Sequence, residues 1–128
     1  MLPSPTFNSL EFIELSKKCF RIFWDSWTVG NIEASRIFLG DDLYEKMRSL
    51  LEDNTKRNRK DIYKIFSLLG CFLNKYERES GFEYLTVYLT SIHRHYVLDS
   101  RRNSNIPIEG SFSEDLKTVY QLKFMRRF

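Results

Sequence analysis

Residues 82–99 read FEYLTVYLTSIHRHYVLD, and this stretch decides the fold. Threonine, valine, isoleucine and tyrosine recur in it, and these residue types favour the pleated surface of a β-sheet. A usual strand has about five or six residues, so a strand this long is expected to bend or to carry a bulge near Ser91. The pattern therefore predicts one long, bent strand from Phe82 to Asp99.

Further strands are predicted on both sides of this stretch. Residues 61–76 mix β-branched and aromatic side chains with Gly70 and Cys71, and residues 77–81 form a turn. A polar loop over 100–115 precedes a last strand over 116–128. Because side chains alternate along a strand, this last strand has two faces. One carries Val119, Gln121, Lys123 and Met125, and the other carries Tyr120, Leu122 and Phe124.

The first half of the chain has helical spacing. Asn8 and Glu11 have the spacing of a capping box, which starts a first helix near Ser9, and Gly30 ends it. Apolar residues recur at steps of three and four along it: Phe12, Cys19, Phe20, Phe23, Trp24 and Trp27. Asn31 can cap a short second helix with Ile32, Ala34 and Ile37. Asp42 and Glu45 predict a capping box for a third, with an apolar face of Leu43, Met47, Leu50 and Leu51.

Helices followed by antiparallel strands indicate an α+β fold. The simplest packing lays the first helix across the concave face of the curved sheet, which makes a cone with a pocket between helix and sheet. The chain has 128 residues, so we expect a single domain over 1–128 with a core at about 9–127. With 42% hydrophobic and 16% aromatic residues, the composition excludes a disordered chain. No leader or membrane-spanning run is recognised, so a soluble protein, cytoplasmic or peripheral to a membrane, is expected.

Four segments together resemble a known family. They read FWDSW at 23–27 with GNIE at 30–33, FLGDDLYE at 38–45, YLTVYLT at 84–90, and YVLD at 96–99 with IEG at 108–110. Their order and spacing resemble the Tim-forty-four-like domains, a branch of the nuclear-transport-factor-two-like fold. The chain departs from that family in its closing strand, which lacks the usual Trp, and at His95, where the family often has an acidic residue.

The resemblance implies a non-enzymatic domain of cone shape. Mitochondrial members tether an import motor to the inner membrane or belong to the membrane-facing side of the ribosome, and they associate with membranes that contain cardiolipin. We therefore expect a binding or adaptor domain with a hydrophobic pocket and no cofactor, whose partner is a protein or an anionic membrane surface. The predicted pocket residues are Phe20, Trp24, Trp27, Leu89 and His93. A homodimer through the exposed sheet face is compatible with this reading.

A basic cluster follows the third helix. It comprises Lys56, Arg57, Arg59 and Lys60, and it is the predicted contact with anionic lipid headgroups. RNA is the rival target of such a cluster, because it would show the same dependence on salt. Aromatic residues do not interleave with these four positions, and the net charge is only +3, so nucleic acid is the less favoured partner.

Metal binding, catalysis and RNA association are the other functions to consider for these residues. His93 and His95 lie two residues apart on a strand and share a face, as zinc or copper ligands can, but no third ligand is visible, so no metal is expected. A small-molecule enzyme of the same fold would place a carboxylate such as Asp25 against a pocket histidine. The other alternative is a ribosome- or RNA-associated module.

Cys19 and Cys71 have no metal-type spacing and are expected to be reduced core thiols.

Overall fold

The computed structural model describes residues 8–102 and 105–127. Its helices are α1 (Ser9–Val29) and α2 (Asp41–Lys56), separated by a single 3-10 turn at Glu33–Ser35. The strands are β1 (Arg59–Glu79), β2 (Phe82–Asp99), β3 (Glu109–Gly110) and β4 (Leu116–Arg127). The predicted α+β class is confirmed: both helices precede an antiparallel sheet on which they pack.

Strand β2 is the centre of the sheet. It pairs antiparallel with β1 along one edge, and with β4 and the short β3 along the other. The hairpin between β1 and β2 turns through Ser80 and Gly81, both at positive φ, as the tight turns that suit the twist of a hairpin require. The sheet is open, because β1 and β4 do not pair with each other within the described residues.

The pairing of β2 with β1 is irregular near Ser91, where a bend or bulge is predicted. The register between β1 and β2 shifts by one residue three times, and each extra residue belongs to β1, at Phe66, Leu69 and Asn74. The extra residues at Phe66 and Leu69 lie opposite the part of β2 around Ser91. The irregularity is therefore at the predicted position, and the bulged strand is β1.

The ends of α1 agree with the sequence. The Asn8 Oδ1 accepts hydrogen bonds from the backbone N–H groups of Leu10 and Glu11, at 3.1 Å each. Gly30 closes the helix in the left-handed conformation, at φ 82°, which a glycine adopts without steric cost. The Asn31 Oδ1 accepts a hydrogen bond from the N–H of Glu33 at 3.0 Å, but the N-cap of the 3-10 turn is Ile32, and this turn is shorter than the predicted second helix.

The start of α2 differs from the prediction. Gly40 is its N-cap and offers no side-chain hydrogen bond, so the capping box of Asp42 and Glu45 is not formed. Half of the predicted apolar face was also wrong, because Leu43 and Leu50 are each 45% exposed. The buried face instead turns Tyr44 toward Trp27 and Ile32. Met47 and Leu51 pack against that cluster.

The two faces of the sheet differ in burial. Leu85, Val87 and Leu89 of β2 are fully buried on the face toward α1, which we call the inner face. The even-numbered residues of β2, with their register partners on β1 and β4, form the opposite or outer face. Strand β4 alternates as predicted, with Tyr120 half-buried and Val119 62% exposed. No helix of the described residues is both long enough and apolar enough to cross a membrane.

Candidate functional site

Aromatic rings meet between α1 and the inner face. The ring of Tyr63 stacks on Trp24 at a centroid distance of 4.1 Å and on His93 at 4.3 Å, so it lies between them. Phe20 meets Tyr120 edge to face at 4.9 Å, and the hydroxyls of Tyr63 and Tyr120 are hydrogen-bonded to each other. Three of the predicted pocket residues, Phe20, Trp24 and His93, therefore converge, but on rings that occupy the space between them.

The other two predicted pocket residues are not members of this stack, although the ring of Trp27 meets that of Trp24 edge to face at 5.9 Å. Leu89 is fully buried within β2. Trp27 belongs to the cluster with Ile32 and Tyr44, and its indole Nε1 donates a hydrogen bond to Asp61 Oδ2 at 3.0 Å. The indole thus joins the end of α1 to the start of β1.

Two surface clefts border the helices. One runs along α1 and is lined by Lys18, Arg21 and Asp25, among others. The second lies between the 3-10 turn and α2 and includes Asn31 and Tyr44. None of the predicted pocket residues lines either cleft. The exposed Asp25 faces the first cleft, so the predicted pairing of Asp25 with a pocket histidine is not formed.

A different carboxylate and histidine do pair. Asp61 Oδ1 is hydrogen-bonded to His95 Nε2, while its other oxygen accepts from Trp27. Burial alone would raise the pKa of the Asp61 carboxyl, but the hydrogen bonds from His95 and Trp27 outweigh burial and lower it. The hydrogen bond to Asp61 raises the pKa of His95 above its ordinary value. Arg59 and Glu109 stand beside this pair and are bonded to each other at 2.7 and 3.0 Å.

His93 differs from His95 in its burial, its hydrogen bonding and the direction in which its pKa is shifted. It is 4% exposed, its Nδ1 has no hydrogen-bond partner among the described residues, and burial lowers its pKa. Within residues 8–102 and 105–127, no group of three His, Cys, Asp or Glu side chains could hold a metal ion. Cys19 and Cys71 are free thiols, and burial raises the pKa of each.

Half of the predicted basic cluster is engaged in ion pairs within the chain. The Arg57 guanidinium lies 3.4 Å from the Asp53 carboxylate, and Arg59 makes the two bonds to Glu109. Lys56 ends α2, whereas Lys60 lies on β1 opposite Leu98 and so points to the outer face. The four residues therefore do not form one free anion-binding patch.

The outer face carries a larger basic surface that the linear sequence does not bring together. Its basic residues are Lys60, Lys64, Lys75, Arg94, Lys117, Lys123 and Arg127. Its rings are Phe66, Phe72, Phe82, Tyr84, Tyr88 and Tyr96. The acidic residues that the strands place on it are Glu77 and Glu79, both near the hairpin end. Two of its basic residues are ion-paired: Lys75 lies 3.2 Å from the Glu77 carboxylate and Arg94 lies 2.8 Å from the Asp115 carboxylate.

Cations and rings are interleaved on this outer face. Cationic groups lie over rings in the pairs Arg94 with Phe66 at 4.4 Å, Lys123 with Tyr84 at 5.2 Å, Arg127 with Phe82 at 5.5 Å and Lys64 with Tyr96 at 5.9 Å. Phe66 and Phe72 are nevertheless 52% and 55% exposed. Sequence reasoning missed this surface, although the alternation of rings with Leu85, Val87 and Leu89 along β2 was a signal for it.

Comparison of the sequence with known proteins identifies no family for this chain. No model of a protein family matches the chain, and no curated protein sequence is significantly similar to it. The resemblance to the Tim-forty-four-like domains therefore stays a prediction from its four segments.

Proposed function

We propose that this chain is a non-enzymatic binding or adaptor domain that docks an anionic partner on the outer face of its sheet. The observation that carries the proposal is the interleaving of exposed rings with basic side chains on that face, where Phe66 and Phe72 are each more than half exposed. Exposed aromatic residues are enriched at recognition surfaces, and clustered basic side chains attract anionic partners. Glu77 and Asp115 neutralise Lys75 and Arg94 on this face, and Glu79 adds one further negative charge. The remaining basic residues still leave the face with an excess of positive charge.

The inner face supports the same conclusion by contrast. Its rings are stacked on one another, and the oxygens of Asp61 are taken by Trp27 and His95. These groups hold α1 on the sheet, which is a structural task. The cone shape and the Tim-forty-four-like kinship belong to this proposal as well. The long helix on the inner face and the bulges in β1 favour the cone shape, and the four sequence segments favour the kinship. The predicted hydrophobic pocket has no such support, because the rings of the inner face are packed against one another.

The alternative function is acid–base catalysis on a small molecule. It is favoured by the Asp61–His95 pair, because a carboxylate that orients an imidazole is the usual way to prepare a general base. The side chain of His95 is 41% exposed, which leaves part of its ring open to solvent. Neither of the two clefts described above includes His95.

The test is retention on immobilised heparin, a polyanion with no base or lipid chemistry. We compare the native chain with a triple variant on the outer face, Lys64→Gln, Lys117→Gln and Lys123→Gln. The matched control removes the same charge from the helices, with Lys18→Gln, Arg21→Gln and Lys46→Gln. We expect the outer-face variant to elute at clearly lower salt than the control. If both variants elute at the same salt, only net charge matters and the outer face is not the docking surface.

A further inference from the structure

The ligand class of the outer face follows from how its rings and cations are arranged. We propose that this face binds single-stranded nucleic acid, with bases stacked on Phe72 and Tyr88 and with phosphates held by the lysines on either side. This inference rests on the proposed docking function and adds the chemistry of the partner. Stacking platforms combined with a positively charged surface are the general solution to binding single strands without sequence preference.

The register of the sheet arranges these groups in rows that cross the strands. Phe72, Tyr88 and Gln121 are direct neighbours and form the central row. On one side of it, Thr86 is flanked by Lys75 and Lys123. The aromatic row thus has a basic row beside it.

A second basic group lies on the other side of the aromatic row. Lys117 is opposite Ile92, and Lys64 is opposite Arg94. A strand rises about 3.3 Å per residue, so Thr86 and Arg94 are roughly 26 Å apart along β2. That length suits a short single strand of about four nucleotides, the lower end of the site sizes known for sheet-based binders.

The aromatic row also has room above it. The rings of Phe72 and Tyr88 touch at a centroid distance of 5.7 Å and are tilted by 49°, so they offer two inclined surfaces. The next row toward the second basic group consists of Gly70, Thr90 and Val119. A Cβ added at Gly70 would meet nothing within 4 Å, so no neighbouring atom crowds that position.

Charge and polarity favour this partner over the two others that an exposed sheet face can take. A second copy packed face to face would bring basic rows against basic rows, which costs several kcal/mol in like-charge contacts. A membrane would have to accept the half-buried Thr90 and the exposed Gln121 at the centre of the face, where polar groups without partners are costly to bury. A single strand leaves these groups in water or hydrogen-bonds them to base edges.

The test measures fluorescence anisotropy of a fluorescein-labelled twelve-nucleotide oligouridylate titrated with the full chain. We expect saturable binding at 50 mM salt. If about four phosphates are neutralised, affinity falls about 50-fold between 50 and 200 mM salt, since the slope for single strands is about −0.7 per phosphate. Absence of saturable binding at 50 mM salt, with the native circular dichroism spectrum intact, overturns the inference.

Variants distinguish stacking from charge alone. Phe72→Ala and Tyr88→Leu should each weaken binding about 5-fold to 150-fold, equivalent to about 1–3 kcal/mol, whereas Tyr88→Phe keeps a ring and should bind like the native chain. Ile37→Ala is the control, because Ile37 is 92% exposed and lies away from the sheet. If Tyr88→Phe binds as weakly as Tyr88→Leu, or Phe72→Ala as tightly as Ile37→Ala, the bases do not stack there and the inference fails.

Two comparisons separate failure of the ligand class from failure of the docking surface. Lys117→Gln with Lys123→Gln should lower the salt slope by about 1.4, whereas Lys18→Gln with Lys46→Gln should leave it unchanged. Equal slopes for the two pairs overturn the inference. Vesicles of phosphatidylcholine and phosphatidylglycerol that displace the oligonucleotide at equal salt also overturn it. If heparin retention still maps to the outer face, the proposed function survives with a lipid or protein partner.

Discussion

The pair of Asp61 and His95 should make the stability of this domain depend on pH in a predictable direction. The pKa of His95 is raised in the folded chain, so its contribution is complete below the unfolded value of about 6.5 and is lost as pH rises through the folded pKa. The pKa of Asp61 is lowered, so its contribution is complete above about 3.9 and is lost as pH falls through the folded pKa. The pair therefore stabilises the fold most between about pH 4 and pH 6.5.

The magnitude follows from the exposure of the two side chains. A hydrogen bond between charged groups contributes about 1.5–3 kcal/mol when it is buried. The Asp61 side chain is 19% exposed and that of His95 is 41% exposed, so solvent screening reduces the contribution of this pair to about 1 kcal/mol. For a domain of this size, about 1 kcal/mol corresponds to about 3–5 °C in Tm.

The perturbation is Asp61→Asn, which keeps an oxygen for the indole N–H of Trp27 but removes the charge that holds the proton on His95. Urea unfolding is followed by tryptophan fluorescence at pH 5.5 and pH 8.5. The free energy of unfolding should be higher for the native chain than for the variant, and this difference should be about 1 kcal/mol larger at pH 5.5 than at pH 8.5. The difference is measured between proteins because His93 titrates in both, with the opposite sign.

The matched control is Asp25→Asn, an exposed carboxyl on α1 at the cleft. It should change stability by less than about 0.5 kcal/mol at either pH. If Asp61→Asn shows the same pH dependence as the native chain, the charge on Asp61 does not hold the proton on His95, and the reasoning is refuted.

Three other changes should alter stability in stated directions. His93→Phe keeps a ring against Tyr63 and removes a buried nitrogen without a hydrogen bond, so the variant should have a higher Tm than the native chain. Its Tm should also decrease less between pH 8 and pH 5, which differential scanning calorimetry at these two pH values can test. Tyr120→Phe removes the bond to the hydroxyl of Tyr63 and should cost about 1 kcal/mol in urea unfolding; an unchanged midpoint would contradict that bond. Gly110→Ala would place a Cβ 2.3 Å from the carbonyl oxygen of His95 at φ +73°, so hydrogen exchange should show loss of the β3 pairing, and unchanged protection would contradict the geometry.

The local elements could be predicted because their signals are local. The Asn8 cap, the glycine that ends α1 and the bounds of β2 each depend on residues within a few positions of one another. The prediction failed where a tertiary contact determines which side chain is buried. Leu43 and Tyr44 are both apolar neighbours on α2, and only the position of Trp27 and Ile32 determines that Tyr44 is the buried one.

The candidate sites were predicted less well for the same reason. Asp61 was hidden at the start of a strand, and its partners Trp27 and His95 are each 34 positions away in the chain. Asp25 was predicted instead because it follows Trp24 directly in the sequence, but it lies on the exposed side of α1. A pair that joins a helix to two strands cannot be found without the register of the sheet.

The bulges in β1 set the register of the outer face. Each extra residue shifts the parity of the strand, so two of them cancel. The shifts at Phe66 and Leu69 therefore leave Phe72 on the outer face, and they move its partner on β2 from Thr86 to Tyr88. The third shift, at Asn74, is not cancelled, and it brings Lys75 to the outer face opposite Thr86. A β1 without bulges would still carry Lys64 and Phe72 on this face, but Phe72 would not lie beside Tyr88 and Lys75 would point to the inner face. The bulges thus align the two rings of the central row and place a lysine beside them, which no local pattern of the sequence could show.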